Sequence, residues 1–141
     1  MTIERKVVLS VEDNQDIAHL IRLVLRHAPI ELLQATTGDE ATLMLAKRKP
    51  DLILLDMMLP GKTGLDYLAE LRQDARFADT PVVVISVRAD TVYRTRAREL
   101  GVVRYLLKPF SPAVLRHEIQ QILGVSWQDS GKLSGLPPSN V

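Results

Sequence analysis

The sequence predicts a doubly wound α/β sandwich built on a parallel five-stranded sheet. Five short apolar runs alternate with five segments of helical spacing, and most of the runs are continuous rather than alternating in polarity. The runs are Val7–Val11, Ile30–Ala35, Leu52–Leu55, Val82–Ile85 and Val103–Leu107. Their Val, Ile and Leu suit a pleated backbone covered on both faces. The second run carries Glu31 and Gln34 and is the most polar, which places it at an edge.

The segments between the runs have helical stripes. In the first, Ile17, Leu20, Ile21, Val24 and Ala28 share a face behind Asn14, an apt N-cap. Ala41, Met44 and Leu45 form the second stripe, and Leu65, Leu68 and Leu71 the third. The last helix opens with Ser111 as cap and Pro112 in its first turn, carries Leu115, Ile119, Ile122 and Leu123, and can leave through a left-handed Gly124. The fourth, roughly Asp90 to Leu100, sets Tyr93, Ala97 and Leu100 beside Arg94, Arg96 and Arg98; so thin a stripe predicts the least firmly held helix.

With 141 residues, 46% of them hydrophobic, the chain can bury one core. Its 18 basic and 17 acidic residues leave a net charge of +1, so no global field draws it to nucleic acid or an anionic membrane, and neither is expected as a direct partner. Cysteine is absent, which excludes disulfides, thiolate metal sites and thiol nucleophiles and fits a reducing compartment. The run Val7–Val11 is stopped by Glu12 and Asp13, far short of a signal or spanning segment, so a cytoplasmic protein is expected. After Gly124 the composition turns to Ser, Gly, Pro and Asn. Residues 1–124 are therefore read as the domain and 125–141, Trp127 included, as a flexible tail or linker stub.

In open α/β sheets, sites form beyond the C-terminal ends of strands. The first run ends in Glu12 and Asp13, the third in Asp56, the fourth in Ser86 and the fifth in Lys108. Singly, the acids can be helix caps, Ser86 a turn hydroxyl and Lys108 a solvated side chain. Together they place three carboxylates and one ammonium on one rim. Clustered carboxylates repel, and a hard oxygen-loving ion such as Mg²⁺ is the natural counter-charge, with Glu12 and Asp13 as ligands. Asp56 then stands as a nucleophile able to form an acyl phosphate, with Ser86 and Lys108 gripping the phosphoryl oxygens. His19, His27 and His117 form no cluster. Arg88, Arg94, Arg96, Arg98 and Arg104 read as a solvated basic face or as a docking surface for an acidic partner.

From Lys6 to Leu123 the pattern resembles the receiver domains of two-component response regulators, the CheY-like superfamily. The resemblance rests on Glu12-Asp13-Asn14, on Asp56 with the following Met-Leu-Pro-Gly and Gly64, on Ser86 after its apolar run, and on Tyr105 with Lys108-Pro109-Phe110. It implies a (βα)5 flavodoxin-like fold with strand order 2-1-3-4-5. It also implies that Asp56 takes a phosphoryl group from a histidine kinase or histidine phosphotransfer protein. Mg²⁺ or Mn²⁺ would be held by Glu12, Asp13, Asp56 and the backbone carbonyl of Met58, and Lys108 would neutralise the phosphoryl group. Ser86 and Tyr105 are then switch residues that alter the face of the fourth helix, fifth strand and fifth helix toward a downstream protein or output domain, and a homodimer is allowed. A switch is implied rather than an enzyme acting on a separate small molecule, with a cis bond at Lys108-Pro109.

Two departures stand out. Val87 occupies a position where many relatives are small, and its volume predicts a narrowed approach to Asp56. Val103 and Arg104 stand where the DNA-binding branch often has an acidic pair, which disfavours that branch's charge-paired dimer. Three other readings share the fold. A pseudo-receiver adaptor would not take phosphate. An FMN-binding carrier would need a phosphate cradle that Glu12 and Asp13 repel. A phosphohydrolase would carry a second acid two residues after Asp56, where Met58 stands.

Overall fold

The structure is a computed structural model and describes residues 5–128. Its elements run β1 (Lys6–Val11), α1 (Gln15–Val24), β2 (Ile30–Ala35), α2 (Gly38–Leu45), β3 (Leu52–Asp56), β4 (Met58–Leu59), β5 (Lys62–Thr63), α3 (Gly64–Gln73), β6 (Val82–Ser86), α4 (Thr91–Glu99), β7 (Arg104–Leu107) and α5 (Pro112–Leu123). The main sheet has the order β2-β1-β3-β6-β7 with every pair parallel. Counting only its five strands, this is the expected 2-1-3-4-5, with the polar β2 at an edge. The stretch 57–63 after β3 is too short and mixed to show a strand pattern in the sequence. There the chain folds a small antiparallel hairpin of β4 and β5, pairing Met58 with Thr63 and Leu59 with Lys62.

Continuous apolar strands are explained by two cores, one on each face. Leu9, Val11, Ile53, Leu55, Val82 and Val84 pack with Ala41 and Leu45 of α2, Leu65, Leu68 and Leu71 of α3, and Ala97 of α4. Val8, Leu52, Leu54, Val83 and Ile85 pack with Ile21 and Val24 of α1 and Leu115 and Ile119 of α5. Each fully buried aliphatic side chain contributes about 1.5–3 kcal/mol. Asn14, Thr37, Thr63 and Ser111 cap α1, α2, α3 and α5 by accepting from Ile17, Glu40, Asp66 and Val114 N–H. Asp90 makes no such bond for α4, whose one buried residue is Ala97, as its thin stripe predicted. Gly124 closes α5 in the left-handed conformation, at φ 65.

One expectation at the C-terminus is corrected. Trp127 is buried against the α1/α5 core, and its indole N–H donates to the carbonyl of Val24 at 3.3 Å. A large apolar side chain with a donor that reaches an unsatisfied helix-end carbonyl has more to gain by packing than by remaining solvated. The rest of the expected tail, residues 129–141, lies outside the described residues. Among the described residues no helix is long and apolar enough to cross a membrane.

Candidate functional site

Strand register brings the site together. Val11 is level with Leu55, Asp56 with Ile85, and Ser86 with Leu107. The residues at or just beyond the ends of the four strands therefore share one rim, although they come from four separate stretches of chain. Glu12, Asp56 and Ser86 are buried, while Asp13 is exposed.

Glu12, Asp13 and Asp56 each offer a carboxylate oxygen, and these oxygens lie within 4.8 Å of one another. Lys108 closes the group, with Nζ 3.2 Å from Asp56 Oδ1 and 3.1 Å from Glu12 Oε1. Glu12 Oε2 accepts from the N–H of Asn14 at 3.2 Å, whereas the buried Oε1 is met by the ion pair with Lys108. Burial, followed by hydrogen bonding to and repulsion from Asp56, pushes the Glu12 carboxyl up to about 7, with Lys108 pulling the other way. Asp13 is raised in the same direction, by desolvation and then by Asp56. One ammonium thus faces three acids, two of which hold their protons more tightly than usual. Three carboxylate oxygens within 4.8 Å of one another, faced by a single ammonium, suit a divalent cation of the Mg²⁺ or Mn²⁺ type.

The turn after Asp56 is tightly built. Met58 N–H donates to Asp56 Oδ1 at 3.2 Å, and Gly64 N–H to the Met57 carbonyl at 2.6 Å. A Cβ on Gly64 would fall on the carbonyl oxygen of Asp56 and within 2.9 Å of Met57 Cα, so the backbone needs glycine there. On the far side of the rim, Lys108 N–H donates to the Ser86 carbonyl at 2.7 Å, and the Lys108-Pro109 bond is cis. Ser86 Oγ accepts from Arg88 N–H at 2.9 Å. Tyr105 is half-buried on β7, and its hydroxyl donates to the Arg88 carbonyl at 2.9 Å. Sequence reasoning passed over Arg88 in this role because its contribution is made by the main chain, which leaves no mark in residue type. Val87, between Ser86 and Arg88, stands 68% exposed. His19, His27 and His117 are exposed and outside the site.

The model for the response regulator receiver domain matches residues 8–120, and the chain belongs to that family. Receiver domains are signalling switches of two-component systems. The phosphate regulon transcriptional regulatory protein PhoB of Pseudomonas aeruginosa is 34% identical over 118 residues, covering 84% of this chain and 52% of the relative. The chain thus spans about half the length of the curated relatives it matches. Among solved structures, the Mn²⁺-bound response regulator Rcp1 is 32% identical with a TM-score of 0.72, covering 83% of this chain and 91% of that one. The receiver domain of a Pseudomonas aeruginosa sensor histidine kinase, solved with magnesium in its active-site cleft, is 26% identical with a TM-score of 0.76, covering 86% and 99%.

Proposed function

We propose that Asp56 is the phosphoacceptor and that the rim around it is a cation-assisted phosphorylation site. The observation that carries this reading is Lys108 Nζ within 3.2 Å of both Glu12 and Asp56, facing an acidic cluster whose oxygens lie within 4.8 Å. Glu12, Asp13, Asp56 and the Met58 carbonyl would hold Mg²⁺ or Mn²⁺, the ions in the cleft of one solved relative and bound to another. Bound there, the cation would offset the negative charge of the incoming phosphoryl group.

The chain's own groups do the remainder. Asp56 attacks phosphorus with a carboxylate oxygen that Met58 N–H orients, the P–N bond of the kinase's or phosphotransfer protein's phosphohistidine breaks, and the histidine imidazole departs. Lys108 donates to the transferred group, and Ser86 supplies a second donor by turning from Arg88. Release of Arg88 is passed to Tyr105, which alters the face of α4, β7 and α5 toward a downstream protein or an output domain. The named function of PhoB in transcription belongs to a protein about twice this length, so the output here follows from that face. We place the protein in the cytoplasm and take its receiver unit to run through Trp127.

Incubation with a small acyl phosphate and Mg²⁺, followed by intact mass, tests the reading. One added phosphate on the wild type and none on Asp56→Asn is the expected result; no addition to the wild type would return the chain to the pseudo-receiver class.

A further inference from the structure

Charge in this molecule is segregated along the strand direction. The carboxylates Glu12, Asp13 and Asp56 gather where β1 and β3 end, whereas basic residues gather where β1, β2 and β3 begin. The three strands are neighbours in the sheet with β1 in the middle, and Lys6 lies beside Ile30 and Val8 beside Leu52. Arg5 and Lys6 open β1, Arg26 follows α1 in the turn before β2, and Lys47, Arg48 and Lys49 follow α2 in the turn before β3. All six side chains are exposed. Val7 N–H donates to Asp51 Oδ2 at 2.7 Å, and Arg48 donates to both carboxylate oxygens of Glu31 at 2.8 and 3.1 Å, so the turns are fastened to one another. Glu31 and Asp51 are the only acids of these segments, and both are engaged by those bonds. Arg48, and beyond it Arg5, hold the Glu31 carboxyl below its ordinary value. Arg5, Lys6, Arg26, Lys47 and Lys49 make no hydrogen bond or ion pair among the described residues.

A cation just past a helix C-terminus complements the helix dipole, which accounts for Arg26 and Lys47 and leaves Arg5, Lys6 and Lys49 with no task inside the fold. The net charge of +1 averages this basic end with the acidic rim. The two lie about 20 Å apart along the six residues of β1, well beyond the screening length of about 8 Å, so a partner can meet one without the other. The segments carrying the cations expose no large apolar side chain and no aromatic ring. A protein partner would want an apolar anchor, a bilayer an apolar side chain to insert, and a single nucleic-acid strand a ring to stack on. Nor do the segments 26–30 and 46–50 carry a hydroxyl or amide side chain to read base edges or the 2′-hydroxyls of RNA. What remains is a dense line of phosphates. We propose that this end of the sheet binds the phosphate backbone of double-stranded DNA without reading its sequence. A duplex carries one charge per about 1.7 Å of axis, so three neighbouring strands, about 10 Å across, face several phosphates at once. The acidic rim points the other way and stays open, and the inference does not rest on the phosphoacceptor reading.

Fluorescence anisotropy of the full chain with labelled DNA duplexes of about 20 base pairs tests it. Two duplexes of unrelated sequence should bind equally well, and the logarithm of the binding constant should fall against the logarithm of salt concentration with a slope of about −4, as roughly five phosphate contacts require. Lys47→Gln combined with Lys49→Gln should weaken binding about tenfold and make the slope shallower by about two. Arg96→Gln combined with Arg98→Gln removes the same charge from exposed positions of α4 and should change neither. An equal loss in the α4 pair would show that net charge alone governs binding. That result, a slope shallower than about −2, tighter binding of duplex RNA or of an aspartate-rich peptide of equal charge, or stronger capture on phosphatidylserine vesicles than on DNA would each overturn the proposal.

Discussion

The hydroxyl of Tyr105 and the main chain of Arg88 are joined by a 2.9 Å hydrogen bond, and the same residue's N–H is held by Ser86 Oγ, also at 2.9 Å. One short piece of main chain therefore answers to two side chains, one at the phosphorylation rim and one on the outer face. Ser86→Ala removes the acceptor of a partly buried N–H and Tyr105→Phe removes the donor to an exposed carbonyl, each losing one hydrogen bond for about 1 kcal/mol or less. Because both act through Arg88, the double variant should lose less than the two singles combined, by more than about 0.5 kcal/mol in urea unfolding. Additivity within about 0.3 kcal/mol would show that the two bonds are independent.

Glu12 makes stability depend on pH in an unusual direction for an acid. Its carboxyl is raised from 4.5 to about 7 by burial first and by Asp56 second, so the folded protein binds that proton more tightly than the unfolded chain does. The corresponding stability is fully present below pH 4.5 and is lost as pH rises through about 7. In chelator, the wild type should therefore lose melting temperature across this window, and Glu12→Gln should show a flatter profile. Mg²⁺ competes with the proton, so its stabilisation should be larger above pH 7 than below it. Parallel profiles for wild type and Glu12→Gln, with a Mg²⁺ effect independent of pH, would contradict this account.

Gly64 sits where a side chain has no room. An added Cβ meets main-chain atoms of Asp56 and Met57 rather than a flexible side-chain tip, so the loop itself must move. Gly64→Ala should cost about 2 to 3 kcal/mol in chemical unfolding and slow phosphorylation by displacing the turn that orients Asp56. A variant as stable as wild type would mean that the β4–β5 hairpin yields more readily than its 2.6 Å Gly64–Met57 hydrogen bond suggests.

The strands could be read from the sequence because a strand covered on both faces must be apolar along its whole length, and the two cores fill both faces of β1, β3 and β6; apart from the polar edge strand β2, their order followed from the family resemblance. The rim was legible for a related reason: a polar residue ending such a run has nowhere to go but the strand end, as with Asp56 and Ser86. What escaped lacked either periodicity or locality. The two-residue strands β4 and β5 are too short to show an alternation. Arg88 acts through its backbone, which residue type does not encode. Trp127 finds its acceptor 103 residues away in the sequence, beyond the reach of any local pattern.

Trp127 also yields the most direct stability test, since it is the single tryptophan of the chain. Its ring is 9% exposed against the α1/α5 core, its N–H caps the Val24 carbonyl at the end of α1, and its own carbonyl accepts from the Gln120 amide of α5 at 2.9 Å. The segment after Gly124 thus straps the two helices on one face of the sheet. Trp127→Ala removes both the ring and the cap and should destabilise by about 3 kcal/mol, whereas Trp127→Phe keeps most of the apolar burial and should lose about 1 kcal/mol. Native wild-type fluorescence should be blue-shifted and should move to the red in the same transition that abolishes far-ultraviolet ellipticity. A red-shifted emission in the native state, together with a Trp127→Ala variant within about 0.5 kcal/mol of wild type, would mean that the strap is not formed in solution and that the folded unit ends at Gly124.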